Sequence, residues 1–182
     1  MSSRDLEELL LRKYEHHRAA ALDWEAVKRD WLAAVEAFYN EICPWLDPFR
    51  QKGILDYQFE DIDRHEEYID GYRTRKMMLT ASGERIGEIV PVAALILAAA
   101  GRIDMIGKNG SVRFLRVGRG STGPVIEVRE GTPDRDAYLC KDPKEKGYEE
   151  ELMWKISTPP PNIRYIELNS ETFADALLEV IR

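Results

Sequence analysis

Asp104 lies in the stretch GRIDMIGKNGSVRFLRVGRG (101–120), and Glu127 and Arg129 lie in VIEVRE (125–130). An acid on one apolar strand, followed on a later strand by an acid and a cation two residues apart, is a pattern that can hold a hard metal ion. Phosphodiester hydrolysis needs such an ion, oxygen ligands that converge on it, and a positive group for the charge that develops. In that chemistry Asp104 and Glu127 ligate Mg2+. Arg129 cannot act as a base there, because a guanidinium stays protonated, but it can clamp phosphate. The same residues also have a plainer use. Arg102-Ile-Asp-Met alternates polar with apolar, as a strand with one wet face does. Asp104 and Glu127 are then polar members of half-exposed strands, paired across by Arg102, Arg113 and Arg129. Each such pair contributes about 0.2–1 kcal/mol. The plain account needs nothing unusual and is preferred.

The strand setting of Asp104, Glu127 and Arg129 resembles that of the restriction-endonuclease-like nucleases. The resemblance implies Mg2+ held by Asp104 and Glu127, and it covers roughly thirty residues with a short, degenerate motif. That family carries a lysine two residues after its glutamate, where this chain has Arg129. The strand SVRFLRV also lengthens the path from Asp104 to Glu127.

Other catalytic signatures are missing. No Gly-x-Gly-x-x-Gly opens a helix, and Gly118-Arg-Gly-Ser-Thr-Gly123 lies between strands without a Walker lysine. No Gly-x-Ser-x-Gly elbow occurs. Cys43 would need His16 or His17 as its base; followed by Pro44 and flanked by aromatics, it has the setting of a buried thiol.

Charge gives two candidate contact surfaces. Seven acids fall between Asp56 and Asp70: Asp56, Glu60, Asp61, Asp63, Glu66, Glu67 and Asp70. No register among them supplies both the glycine and the closing glutamate of a calcium loop, and His65 lacks companions for a transition-metal site. A solvated acidic face is expected, with Asp61, Glu66 and Glu67 as binding residues if it docks a basic partner. The second surface is 102–119, where Arg102, Lys108, Arg113, Arg116 and Arg119 face the single acid Asp104. The chain as a whole carries −7, which disfavours a general nucleic-acid coat.

The elements that must position these groups are legible in part. With 182 residues, 44% hydrophobic and 32% charged, the chain suits one globular domain. Its two cysteines, Cys43 and Cys140, are far apart and form no Cys-x-x-Cys pair, which fits a reducing cytoplasm. The N-terminal stretch is charged and shows no secretory signal, and the apolar run 89–101 is too short to span a bilayer. From Asp5 to Cys43 the pattern is helical, as one helix or as two with a break near Ala21. Asp23 is the candidate cap for Trp24, Val27, Trp31, Val35, Phe38 and Ile42 on one face. Pro44 is expected to end that helix.

Strand signals are expected from Lys76: KMMLTA and ERIGEIV about Ser82-Gly83, then RIDMIG and SVRFLRV about Asn109-Gly110, then PVIEVRE, MWKIS and RYIEL. Pro91 marks an edge, bulge or bend. The run 92–100 leans to strand over helix, 131–151 is loop-like, and Pro159–Pro161 form a stiff connector. Asn169 or Ser170 caps a final helix with Phe173, Leu177 and Val180 inward.

The expected fold is a single α+β domain of 182 residues: a helical segment at 1–45, a β-rich part at 76–168 with a mainly antiparallel sheet, and a helix at 170–182. The expected function is non-enzymatic binding of another protein in a bacterial cytoplasm, as an accessory, inhibitor or immunity-type protein. No cofactor and no membrane contact are expected, and nucleic acid is disfavoured. The two oppositely charged surfaces also leave a homo-oligomer open. The alternative is the Mg2+-dependent nuclease.

Overall fold

The computed structural model describes residues 23–66, 69–96, 99–124 and 151–182. Helix α1 is Trp24–Gln51. Asp23 caps it, its side chain accepting from the Ala26 amide at 3.1 Å, and Glu25 in the first turn suits the helix dipole. Trp31, Val35, Phe38 and Ile42 are buried and Trp24 and Val27 partly so, which makes the aromatic stripe the face laid on a sheet.

Pro44 does not end the helix, contrary to the rule for the residue before proline. Both Pro44 and Pro48 lie inside it. An interior proline costs about 3 kcal/mol through the lost amide and the clash with the carbonyl four residues back. Burial outweighs that here. Leu46 is fully buried, and the Trp45 ring packs on Phe173 with centroids 5.6 Å apart. Two polar contacts then tie the last turns to the next strand: Tyr57 Oη donates to Asp47 at 2.9 Å, and Arg50 Nε to Asp56 at 2.8 Å.

Among the described residues seven antiparallel strands follow, each hydrogen-bonded to the next. They are β1 Asp56–Glu66, β2 Ile69–Ala81, β3 Glu84–Ala93, β4 Arg102–Gly107, β5 Gly110–Gly118, β6 Leu152–Ser157 and β7 Tyr165–Glu167. Helix α2, Ser170–Ile181, closes the fold behind an Asn169–Thr172 capping box. Both helices cover one face of the sheet, α1 over β1 and β2, α2 over β3 to β5. Between them Phe38 meets Phe114 at 5.1 Å and Trp154 at 5.2 Å, and Phe114 stacks on Phe173 at 6.2 Å. This is the helix, antiparallel sheet, helix order of an α+β fold.

The strands begin earlier than expected, at Asp56 rather than Lys76. Their apolar residues change phase within LDYQFEDIDR, since Tyr57 and Phe59 share one parity and Ile62 the other. Period-two alternation is therefore hidden there. The Ser82-Gly83 turn forms as expected, both residues at positive φ, which matches the twist of the strands it joins. The β4–β5 hairpin also forms, but its two loop residues are Lys108 and Asn109, with Gly107 paired to Gly110.

Within 92–100 the described residues form neither a continuous strand nor a helix. Strand β3 stops at Ala93, and Ile96 and Ala99 exchange backbone hydrogen bonds at 3.2 Å in both directions. The chain then bulges, because the Ala100 amide donates to the Arg116 carbonyl while the Arg116 amide donates to the Gly101 carbonyl. Gly101 sits at φ +147, and a Cβ there would lie 2.6 Å from the Trp31 ring. Only glycine lets the indole in. Pro91 is both at a bulge and beyond the last residue of β3 that β2 pairs, so its missing amide is not required.

Strands β2 and β3 part after Met77 and Ile89. Tyr39, fully buried on α1, fills the opening: its hydroxyl donates to the Arg75 carbonyl at 2.9 Å, with the Ile89 carbonyl 3.2 Å away.

Candidate functional site

Strand β1 forms one edge of the sheet, and its charges are met mainly by β2. Asp63 faces Arg73, Glu60 faces Lys76 and Asp61 faces Arg75 in the register. Arg73 Nε reaches Asp63 at 3.1 Å and Lys76 Nζ lies 3.5 Å from Glu60. Arg75 behaves differently. Its guanidinium turns to Glu36 on α1, with Nε at 2.9 Å, and stacks 4.1 Å from the Phe59 ring centroid. Asp61 is left exposed, with no ion pair among the described residues.

Among the described residues the backbone of β1 has an open side. The Arg75 carbonyl points to Tyr39, away from β1. Backbone groups in an antiparallel ladder alternate from one neighbour to the other. Opposite Arg75, Asp61 therefore turns its own N–H and C=O outward, as do Phe59 and Asp63 two residues to either side. Tyr57 obeys the same parity, and its outward amide is taken by the Asp56 carboxylate at 2.9 Å. Among the described residues nothing bonds the backbone of Phe59, Asp61 or Asp63 on that side.

Glu66 is spent inside the fold. It accepts from the Tyr72 hydroxyl, which accepts from Trp31 Nε1 at 3.0 Å, and from the Ala94 amide at 3.0 Å. Burial and the bond to Glu66 push the Tyr72 phenol well above its usual range. Glu67 lies outside the described residues.

The five cations of 102–119 do not form one surface. Arg116 is on the helix-bearing face, where it pairs with Asp30 of α1. Arg102 and Arg113 are on the reverse face, by strand parity. Arg119, past the end of β5, pairs with Glu151 at 2.9 Å, and Lys108 is in the β4–β5 turn. Arg113 is exposed directly opposite Asp104, yet the partner of Asp104 is Arg102 in its own strand. Arg102 Nε and Nη2 grip the two carboxylate oxygens at 2.7 and 2.6 Å, which raises the Arg102 pKa. Asp104 is 7% exposed rather than half-exposed. Both oxygens of Asp104 thus accept from one guanidinium. Glu127 and Arg129 lie outside the described residues, as do His16, His17 and Cys140. Among the described residues no group of three or more His, Cys, Asp or Glu is placed to hold a metal ion. Cys43 is half-buried, and burial raises its thiol pKa, the opposite of what a nucleophile needs.

Lys155 was not singled out from the sequence. It is 5% exposed on the reverse face of β6, and its ammonium donates to the carbonyls of Arg119 at 2.6 Å and Ser121 at 2.8 Å. It pins the glycine-rich loop after β5. The signal was a lysine at the centre of the short strand MWKIS, where an unburied charge is the usual expectation.

No described helix is long and apolar enough to cross a membrane. No family model, curated protein or solved structure matches the chain.

Proposed function

We propose that this is a non-enzymatic cytoplasmic protein that binds another protein, in the manner of a bacterial accessory, inhibitor or immunity-type protein, with β1 as its contact surface. One observation carries this: among the described residues Asp61 makes no ion pair and stands on the edge strand, because α1 draws Arg75 to Glu36. An unmatched exposed charge steers and selects an oppositely charged partner. The basic stretch 102–119 is a weaker surface, since three of its five cations are held by acids of the same chain.

The test is affinity purification from the native host with the wild-type chain and an Asp61→Lys/Asp63→Lys variant. Both side chains are exposed, so the variant is expected to keep its far-ultraviolet spectrum. A basic partner is expected with the wild type and lost with the variant, and the wild-type complex weakens as salt screens the contact. Retention of the same partner by the variant overturns the reading. So does Mg2+-dependent cleavage of DNA or RNA that chelation stops and that Asp104→Asn or Glu127→Ala abolishes.

A further inference from the structure

Resting on the reading that β1 is the contact surface, we propose that the partner supplies an extended segment that adds to the sheet as an eighth strand, antiparallel to β1, with a basic–apolar–basic–basic–apolar sequence. Strand addition follows from the backbone. Phe59, Asp61 and Asp63 present N–H and C=O groups in line along the free side of an 11-residue strand, and nothing among the described residues takes them. An exposed edge of that length is a template for another chain unless something discriminates against it. Here the discriminator is charge.

The side chains specify what fits. Cross-strand neighbours contact one another directly, so each residue of the incoming strand is chosen by the β1 residue it faces. An antiparallel segment, followed from its N-terminus, meets Asp63, Ile62, Asp61, Glu60 and Phe59 in turn. Asp63 and Asp61 lie on the helix-bearing face and Glu60 on the reverse face, so acids confront the newcomer on both sides of the ribbon. Lysine or arginine suits those three positions. Ile62 and Phe59 are only half-buried, and an apolar side chain opposite each covers what remains. The antiparallel sense is chosen because its bonds are the more stable per residue. A second copy of β1 is a poor occupant, because no antiparallel self-pairing that joins the outward groups of Phe59, Asp61 and Asp63 sets a lysine or arginine opposite Asp61.

The probe is a capped peptide, Ser-Lys-Val-Lys-Arg-Val-Ser, titrated into the full-length protein by calorimetry at low salt. Binding is expected, and Asp61→Lys is expected to weaken it about tenfold or more. Two methylated peptides then report on the backbone. Methylation of the amide nitrogen of the residue facing Asp61 removes a bond to β1 and is expected to weaken binding about tenfold. Methylation of the residue facing Glu60, whose amide points away, is expected to leave affinity close to that of the parent. Equal affinity for the two methylated peptides, with sensitivity to Asp61→Lys retained, overturns strand addition and leaves an acidic docking surface standing. Absence of binding overturns the proposal, and a partner that still co-purifies in an Asp61-dependent way then keeps the broader reading. A wild-type dimer by sedimentation that Asp61→Lys alters also overturns it, by giving the edge to a second copy.

Discussion

Asp61 and Asp104 are both aspartates on strands facing an arginine in the next strand, and the fold treats them in opposite ways. Asp104 is buried and held through both oxygens by Arg102, while Asp61 loses its arginine to Glu36. In neither case does the pair that the register offers across the strands form. A guanidinium on a long stem reaches along its own strand or up to a helix as easily as it reaches sideways. Residue types were therefore legible in the sequence, and for Asp104 the strand as well, but the pairing was not. For the Asp104 pair the consequence is measurable. Asp104→Asn removes charge from a bidentate contact in which the arginine side chain is 27% and the aspartate 11% exposed. It is expected to cost about 1–3 kcal/mol, the range for hydrogen bonds to charged groups, seen as a lower urea midpoint at unchanged slope. Removing both partners with Arg102→Gln/Asp104→Asn is expected to cost less than Asp104→Asn alone, because no guanidinium is then stranded. A double variant that is weaker than the single one would contradict the pairing.

Among the elements, α1 decides most of the fold. Its stripe of Trp31, Phe38 and Ile42 was visible at helical spacing, and the stripe is the buried face. Its length was not visible, since local proline chemistry ends it at Cys43 while packing by Trp45 and Leu46 carries it to Gln51. Similarly, the glycine-containing hairpins after β2 and β4 were legible because turn chemistry is local. The β1–β2 ribbon was not, because its burial pattern depends on a helix laid across only half of it. Gly101 joins the two kinds of information. It permits the bulge before β4 and also makes room for the Trp31 ring, whose centroid lies 6.2 Å from that of Trp154 and whose Nε1 donates to the Tyr72 hydroxyl. Gly101→Ala meets both a positive φ and a 2.6 Å contact. A loss of about 2 kcal/mol or more is expected from strain and overpacking together. Tryptophan fluorescence should shift with it, because the indole must move. An unchanged emission spectrum at full stability would show that Trp31 does not depend on that glycine.

At the scale of the whole molecule, helix, sheet and hairpin are joined by tyrosine hydroxyls. Tyr39 fixes α1 where β2 and β3 part, Tyr72 links Trp31 to Glu66 at the far end of the ribbon, and Tyr57 ties β1 to Asp47. Burial is the first cause that raises the pKa of each, and Tyr57 is pushed up to about 12. The sign of the consequence is fixed by linkage. A phenol raised in the folded state stays protonated after its unfolded counterpart has ionised, so the unfolded state binds fewer protons and stability falls as pH rises. The contribution is complete below the ordinary phenol value of 10.0 and is lost as pH climbs through the folded values. Urea midpoints are therefore expected to be insensitive to these groups below pH 10 and to drop steeply above it, ending in alkaline unfolding. Absorbance of tyrosinate in the native protein should lag behind that in urea over the same window. Tyr39→Phe and Tyr72→Phe should each reduce the slope of that drop, although each also lowers stability at neutral pH by leaving a polar partner unmatched. If all eight tyrosines of the native chain ionise together near pH 10 without loss of structure, these hydroxyls do not join the elements as described.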